Sequence, residues 1–376
     1  MKKYKKFIPV NTPLINKSDA LAVYDSVKSG WISSEGPNVK KFEKKIARFI
    51  GCRYASAVSS GTAALDIAIK SLNLKKRDEV ILPSFTIISN INAIIKSGAR
   101  PVLVDVDIET WNIKIEDIEK KINKNTKCLM LPHIYGLTND MDKILRIVKK
   151  NKLFLIEDAA EVFGLKYKNR YCGSFGHISI LSFYANKHIT TGEGGMLLTN
   201  NSRLNKRILN YKNLCFGLGH NRFKHSDIGW NYRYTNIQAS LGLNQLKRIN
   251  NIIKKKFYIG NYYYNNFKNL KNIILQPDKL PYCKNIYWVF GIVIKKKSKI
   301  KIEEVMKKLK QKNIGTRPFF WPLHKQNFLL KNKYIKKSRL PNSEFIANNG
   351  FYIPSGLGLN SKELKYIKDS VIDIFK

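Results

Sequence analysis

The sequence predicts an α/β protein built on a mostly parallel central sheet, followed by a smaller C-terminal α+β domain. Two patterns and one bound carry that prediction. Between residues 54 and 200, short apolar runs alternate with helical patterns, which is how a parallel sheet covered by helices is written in sequence. Beyond it, a long helical pattern at 236–267 leaves this region and leads to a strand-like run, a helix and a terminal helix. At 376 residues the chain is long enough for two packed cores, and a 44% hydrophobic share excludes a disordered chain.

Taken in order, the N-terminus Met1-Lys2-Lys3-Tyr4-Lys5-Lys6 runs directly into Ile8-Pro9-Val10 without the apolar segment of a signal peptide. No run of about 18 apolar residues follows, so the expectation is a cytoplasmic protein with no membrane partner. The strand expectations are 54–59, 79–82, 101–106, 127–131, 153–157, 178–183 and 195–199, with helices at 62–72 and 141–150 among those between them. After the 236–267 helix come a strand at 286–294 and helices at 302–312 and 361–375. No internal repeat or low-complexity linker marks a boundary, and the division is placed at 1–245 and 246–376.

The charge is the most unusual bulk property: 68 basic against 27 acidic residues give +41. Such an excess raises a nucleic-acid-binding reading. Against it, the lysines are spread over the whole chain among Asn and Ile, as in Asn250-Asn251-Ile252-Ile253-Lys254-Lys255-Lys256, where they read as the solvated face of a helix. The same field would speed the arrival of any anionic substrate. Five cysteines (Cys52, Cys128, Cys172, Cys215, Cys283) are widely spaced with no C-x-x-C pair, so no metal site is expected from them.

Four strand ends carry chemistry, as ligand sites in open α/β sheets do. In Ser59-Ser60-Gly61-Thr62 a strand turns through glycine into a helix whose N-terminus suits a phosphate, or is an ordinary N-cap. In Glu157-Asp158-Ala159-Ala160-Glu161 carboxylates follow a buried strand directly, which is costly unless they face a cation. A protonated pyridine nitrogen held by Asp158 is one such partner; a metal or a helix cap is the alternative. Lys187 lies between the strand expected at 178–183 and a Gly/Thr-rich turn, where a lysine in a partly dry pocket becomes a Schiff-base nucleophile. Phe85, in Pro83-Ser84-Phe85-Thr86, is an aromatic able to stack on a flat ring, or a core residue.

Together with these segments, Ser29-Gly30-Trp31-Ile32-Ser33-Ser34, His133-Ile134-Tyr135-Gly136, Asn231-Tyr232-Arg233 and Thr316-Arg317-Pro318-Phe319-Phe320 make the chain resemble the DegT/DnrJ/EryC1/StrS sugar aminotransferases over nearly its whole length. The resemblance implies an aspartate aminotransferase-like, fold type I architecture and pyridoxal 5'-phosphate as cofactor, with pyridoxamine 5'-phosphate as its intermediate form. Lys187 would bind the cofactor covalently and move the proton, Asp158 would pair with the ring nitrogen, and Glu161 would approach the ring hydroxyl. Gly61, Thr62 and Ser182 would hold the phosphate, Phe85 would stack, and Asn231 would reach the neighbouring subunit's cofactor, implying a homodimer with shared sites. Trp31, Ser33, Arg317 and His324 match segments that line the sugar-nucleotide pocket in relatives. The implied reaction is ping-pong transfer from L-glutamate to a nucleotide-linked 4-keto-6-deoxy sugar, GDP-4-keto-6-deoxymannose first and UDP- or dTDP-linked sugars as alternatives. Its product would serve surface polysaccharides such as the O-antigen of lipopolysaccharide. A dehydratase branch carries histidine in place of the lysine; here Lys187 holds that position and His188 follows it, which favours transamination.

Overall fold

A computed structural model describes residues 4–376; Met1, Lys2 and Lys3 of the basic N-terminal stretch lie outside the described residues. Seven strands form the central sheet in the order Tyr54–Val58, Gly195–Thr199, Ile178–Ser182, Phe154–Asp158, Thr126–Pro132, Glu79–Pro83, Arg100–Val104. Four of the pairings are parallel, and Gly195–Thr199 alone runs against both of its neighbours. The sheet is buried on both faces, which is why its strands read as apolar runs rather than as an alternation. Along each strand, neighbours pass to opposite sides. Leu129, Leu131 and Leu155 enter one core with Phe42, Ile46 and Ile144, whereas Cys128, Met130 and Ile156 enter the other with Ala64, Ile67 and Ile94.

The covering helices follow from local chemistry. Gly61–Ser71 starts at Ser60, whose hydroxyl accepts from the Ala63 N–H. Met141–Lys150 starts at Asp140 and turns Met141, Ile144, Ile147 and Val148 inward, an i, i+3, i+6, i+7 stripe.

The second sheet is antiparallel, ordered Ile273–Ile274, Phe290–Ile294, Gly350–Ile353, Arg317–Pro318, and packs with the helices Ile302–Gln311 and Ser361–Phe375. Ile8, expected with the first domain, is buried in this second core, and its backbone bridges to Ile314. An aromatic cluster of Phe85, Trp111, Tyr135, Trp288 and Phe319 lies where the two halves meet.

Two expectations are corrected. The 236–267 helix is two helices, Asn236–Leu246 and Ile249–Phe267. Between them Lys247 and Arg248 close back on Asn244 and Gln245, while the Arg248 guanidinium pairs with the buried Asp19. The 286–294 strand begins only at Phe290, since Tyr287 adopts a positive φ of 53° and Ile286 donates its N–H to the Gly136 carbonyl.

Candidate active site

A cavity of roughly 350 Å³ opens at the C-terminal ends of the parallel strands. Its walls include Ser60, Gly61 and Thr62 at a helix start, Asp158 and Glu161, and Ser182 and Lys187, so three short segments remote in sequence converge there. That position is where a parallel sheet presents helix N-termini and loop residues to a ligand.

One side is a cradle for an anion. The first-turn N–H groups of the Gly61–Ser71 helix have no partners within the helix. Hydroxyls surround them: Thr62 Oγ1 lies 2.9 Å from Ser89 Oγ, and Ser182 and Ser89 line the same wall. Close approach is built in, because a Cβ on Gly61 would lie 3.1 Å from the Ser182 Cβ, and one on Gly195 would lie 2.3 Å from the Ser60 carbonyl oxygen. Glycine at 195 is therefore required by contact, not by φ.

Opposite the cradle lies an incompletely satisfied carboxylate. Asp158 is 5% exposed and accepts from the Ala160 N–H at 3.1 Å and from Asn90 Nδ2 at 3.1 Å. Burial pushes its pKa up against those hydrogen bonds and the nearby Lys187 charge. Burial likewise pushes Glu161 up to about 8; its carboxylate accepts from the Tyr135 N–H at 2.8 Å. Burial lowers the Lys187 amine, opposed by Glu161 and Asp158. Lys187 Nζ rests 3.6 Å from the centre of the Trp288 ring. A dry pocket therefore holds one amine and two acids, each displaced toward its neutral form, which is the condition for proton traffic near neutral pH.

These residues fit pyridoxal phosphate: a cradle of N–H and hydroxyl donors for its phosphate, a buried carboxylate lacking a cation for its ring nitrogen, and an amine for its aldehyde. The buried Asn90 Oδ1, with no partner among the described residues, lies beside the same carboxylate.

The structure brings together Lys187, Asp158, Glu161, Gly61, Thr62 and Ser182. Phe85 is not with them. It is fully buried against Tyr135, Phe319 and Phe320, and the cavity wall there is formed by Thr86, Ile87 and Ser89. The strand ends at Pro83, and the chain that follows turns Phe85 inward and Ile87 toward the cavity. His324, expected at the sugar pocket, is 1% exposed and bridges Ser84 Oγ at 2.7 Å and Glu344 Oε1 at 3.0 Å, outside the cavity walls. Arg317 lines a second cavity of roughly 710 Å³, which shares Tyr184, Asn186 and Tyr352 with the first. Trp31 and Ser33 are exposed and line neither cavity, and Asn231 is exposed in a bridge to Asn213.

Sequence reasoning missed Asn90, Trp288 and Ile87. Asn90 carried one local signal: it follows Thr86 by four residues and donates to the Thr86 hydroxyl at 3.0 Å, on the helix face turned to the strand ends. Trp288 carried none, because it reaches the site from the second half of the chain.

The profile of the DegT/DnrJ/EryC1/StrS aminotransferase family matches residues 13–372. A GDP-perosamine synthase of Escherichia coli O157:H7 is 39% identical over 370 residues, 98% of this chain and 99% of that protein. Among solved structures, Helicobacter pylori PseC, an aminotransferase of pseudoaminic acid biosynthesis, superposes with a TM-score of 0.92 at 25% identity, covering 99% of each chain. A GDP-4-keto-6-deoxymannose-3-dehydratase with a trapped PLP-glutamate adduct superposes with a TM-score of 0.89 at 25% identity, covering 96% of this chain and 99% of the other. The nucleic-acid reading of the charge finds no support in these likenesses.

Proposed function

We propose, from the premise that this chain belongs to the DegT/DnrJ/EryC1/StrS aminotransferase family, that it transfers the amino group of L-glutamate to C4 of GDP-4-keto-6-deoxymannose. The observation that carries the chemistry is the placement of Lys187, Asp158 and the Ser60–Thr62 cradle on one cavity. The GDP-linked acceptor rests on the likeness to GDP-perosamine synthase.

Pyridoxal 5'-phosphate is the cofactor, and when bound it supplies the electron sink for deprotonation at the amine-bearing carbon. Ser60, Gly61, Thr62 and Ser182 would bind its phosphate. Asp158 would keep the ring nitrogen protonated, and the Asn90 amide would hold that carboxylate in place. Lys187 Nζ would form the covalent link, take the α-proton of glutamate when displaced, and return a proton to the sugar C4. The second cavity would receive the nucleotide end of the substrate: Lys307, Lys310 and Arg317 line it, which suits a diphosphate, and it meets the first cavity at Tyr184 and Asn186. The product, a 4-amino-4,6-dideoxy sugar nucleotide, would feed surface polysaccharide, and a lipopolysaccharide biosynthesis protein of Salmonella typhimurium is 29% identical to this chain.

We infer a homodimer with shared sites. Leu218, Phe223 and Ile228 are 89%, 78% and 78% exposed on the loop that carries Asn231, and Trp31 is 54% exposed. A second copy would cover this apolar surface and bring these residues to a neighbouring cavity.

The test is mass spectrometry of the cofactor-loaded protein incubated with L-glutamate and GDP-, dTDP- or UDP-linked 4-keto-6-deoxy sugars in separate reactions. An amine formed preferentially from the GDP sugar is expected. Preference for another nucleotide would move the substrate and keep the chemistry, and no amine from any of them would overturn the reading.

A further inference from the structure

We infer that Trp288 is a positioning residue for Lys187: its indole face holds the lysine amine whenever that amine is not joined to the cofactor, and Lys256 anchors the backbone that carries the indole. The inference rests on Lys187 being the nucleophile proposed above.

A lysine that bonds, leaves and returns has a flexible four-carbon stem, and in a roomy cavity its freed amine would sample many rotamers. Here it has a defined resting place. Lys187 Nζ sits 3.6 Å from the Trp288 ring centre, well inside the reach of a cation–π contact. Indole is the best of the aromatic faces for this purpose, and this one is only 6% exposed.

One bond holds the ring and two hold the backbone that carries it. Trp288 Nε1 donates to the Asn186 carbonyl at 3.0 Å, tying the indole to the residue before the lysine. The Trp288 carbonyl accepts from Lys256 Nζ at 3.1 Å, and the same amine donates to the Ser355 carbonyl at 2.9 Å. Lys256 is 2% exposed, and its amine is held by these two carbonyls rather than by a carboxylate. A lysine buried this way is costly unless it serves a structural clamp. This one joins the helix Ile249–Phe267, the segment before the strand Phe290–Ile294 and the end of the strand Gly350–Ile353.

The other charged and titratable groups around Lys187 are Asp158, Glu161 and Glu193 across the cavity, His133 beyond Asp158, and His188 behind. His188 donates from Nδ1 to the Phe163 carbonyl at 2.8 Å, and burial lowers its pKa to about 3, so it adds no charge.

The experiment frees the full-length protein of cofactor, adds pyridoxal phosphate back, and follows by absorbance the rate of covalent attachment to Lys187 against pH. Only the neutral amine attacks, so the midpoint reports the amine itself, and no sugar nucleotide or donor is needed; a wrong acceptor assignment would leave this readout untouched. Trp288→Leu should move the midpoint down by about half to one pH unit, because the ring favours the ammonium form. Trp288→Phe should move it less in the same direction, and it carries the test if the leucine variant does not fold. Lys256→Met should also move it down, through loss of the ring's position. An unchanged midpoint in a folded Trp288→Leu protein would overturn the inference. An upward move in Lys256→Met, the sign expected if Lys256 acted by its own charge, would overturn its role as the anchor.

Discussion

Glu157 and Asp158 are adjacent acids on one strand, both buried, and they sit in opposite circumstances. Successive residues on a strand face opposite sides, so Glu157 points with Leu155 into one core and Asp158 with Ile156 toward the helices of the other. Glu157 accepts from five donors: His133 Nε2, the N–H groups of Gly173, Phe175 and Gly176, and Ser179 Oγ. The His133 Nδ1 in turn accepts from Asn139, which leaves the proton on Nε2. Burial pushes Glu157 up, yet His133 and these hydrogen bonds hold it below the ordinary carboxylate range. Asp158 has two donors and is left above that range by its burial. Burial does not distinguish a working carboxylate from a structural one. The unfilled side of its hydrogen-bonding shell does.

The largest effect tests whether the Asp158 side is chemical at all. Lys187→Ala should bind pyridoxal phosphate without a covalent link and lose turnover by about 10²–10⁴-fold or more, measured in single-turnover reactions with L-glutamate. Near-wild-type turnover would remove the premise of the comparison.

The two acids should then respond in crossed fashion. Glu157→Gln should lower unfolding free energy by roughly 3 kcal/mol or more, since it strands donors built around a charge. Asp158→Asn should leave the thermal midpoint unchanged or raised while turnover falls on the order of 10²-fold. Thermal unfolding and single-turnover rates on both variants decide it, and equal behaviour of the pair would break the distinction.

The smallest effect concerns Glu161 in the cofactor-free protein. Its folded pKa of about 8 lies above its ordinary 4.5, so between those values the folded state holds a proton that the unfolded state has released. Stability should therefore fall as pH rises through that window, and Glu161→Gln should flatten the fall. Unfolding curves across pH that keep the same slope in the variant would refute the shift.

Much of the site was legible because it lies at strand ends. Ser60 to Thr62 and Lys187 follow, and Asp158 ends, a strand visible as an apolar run, and polar residues in that place are costly without a purpose. Phe85 shows the limit. It sits in the same kind of junction, yet the turn after Pro83 buries it among aromatics drawn from two other segments and brings Ile87 to the wall. Its residue type was readable and its direction was not. His324 misleads similarly: its partners Ser84 and Glu344 come from distant segments and make it a buried strut.

The sequence by itself determined the alternating α/β order and most of the strands, and it singled out Ser60–Thr62, Asp158 and Lys187 as candidate site residues, because these depend on local periodicity and on residue types at element ends. Tertiary structure alone decided which acid is saturated, where the helical pattern breaks at Lys247 and Arg248, and that Trp288 and Lys256 support Lys187. Those outcomes depend on atoms brought within a few ångströms by the packing of segments remote in the chain, and no local pattern records such a meeting.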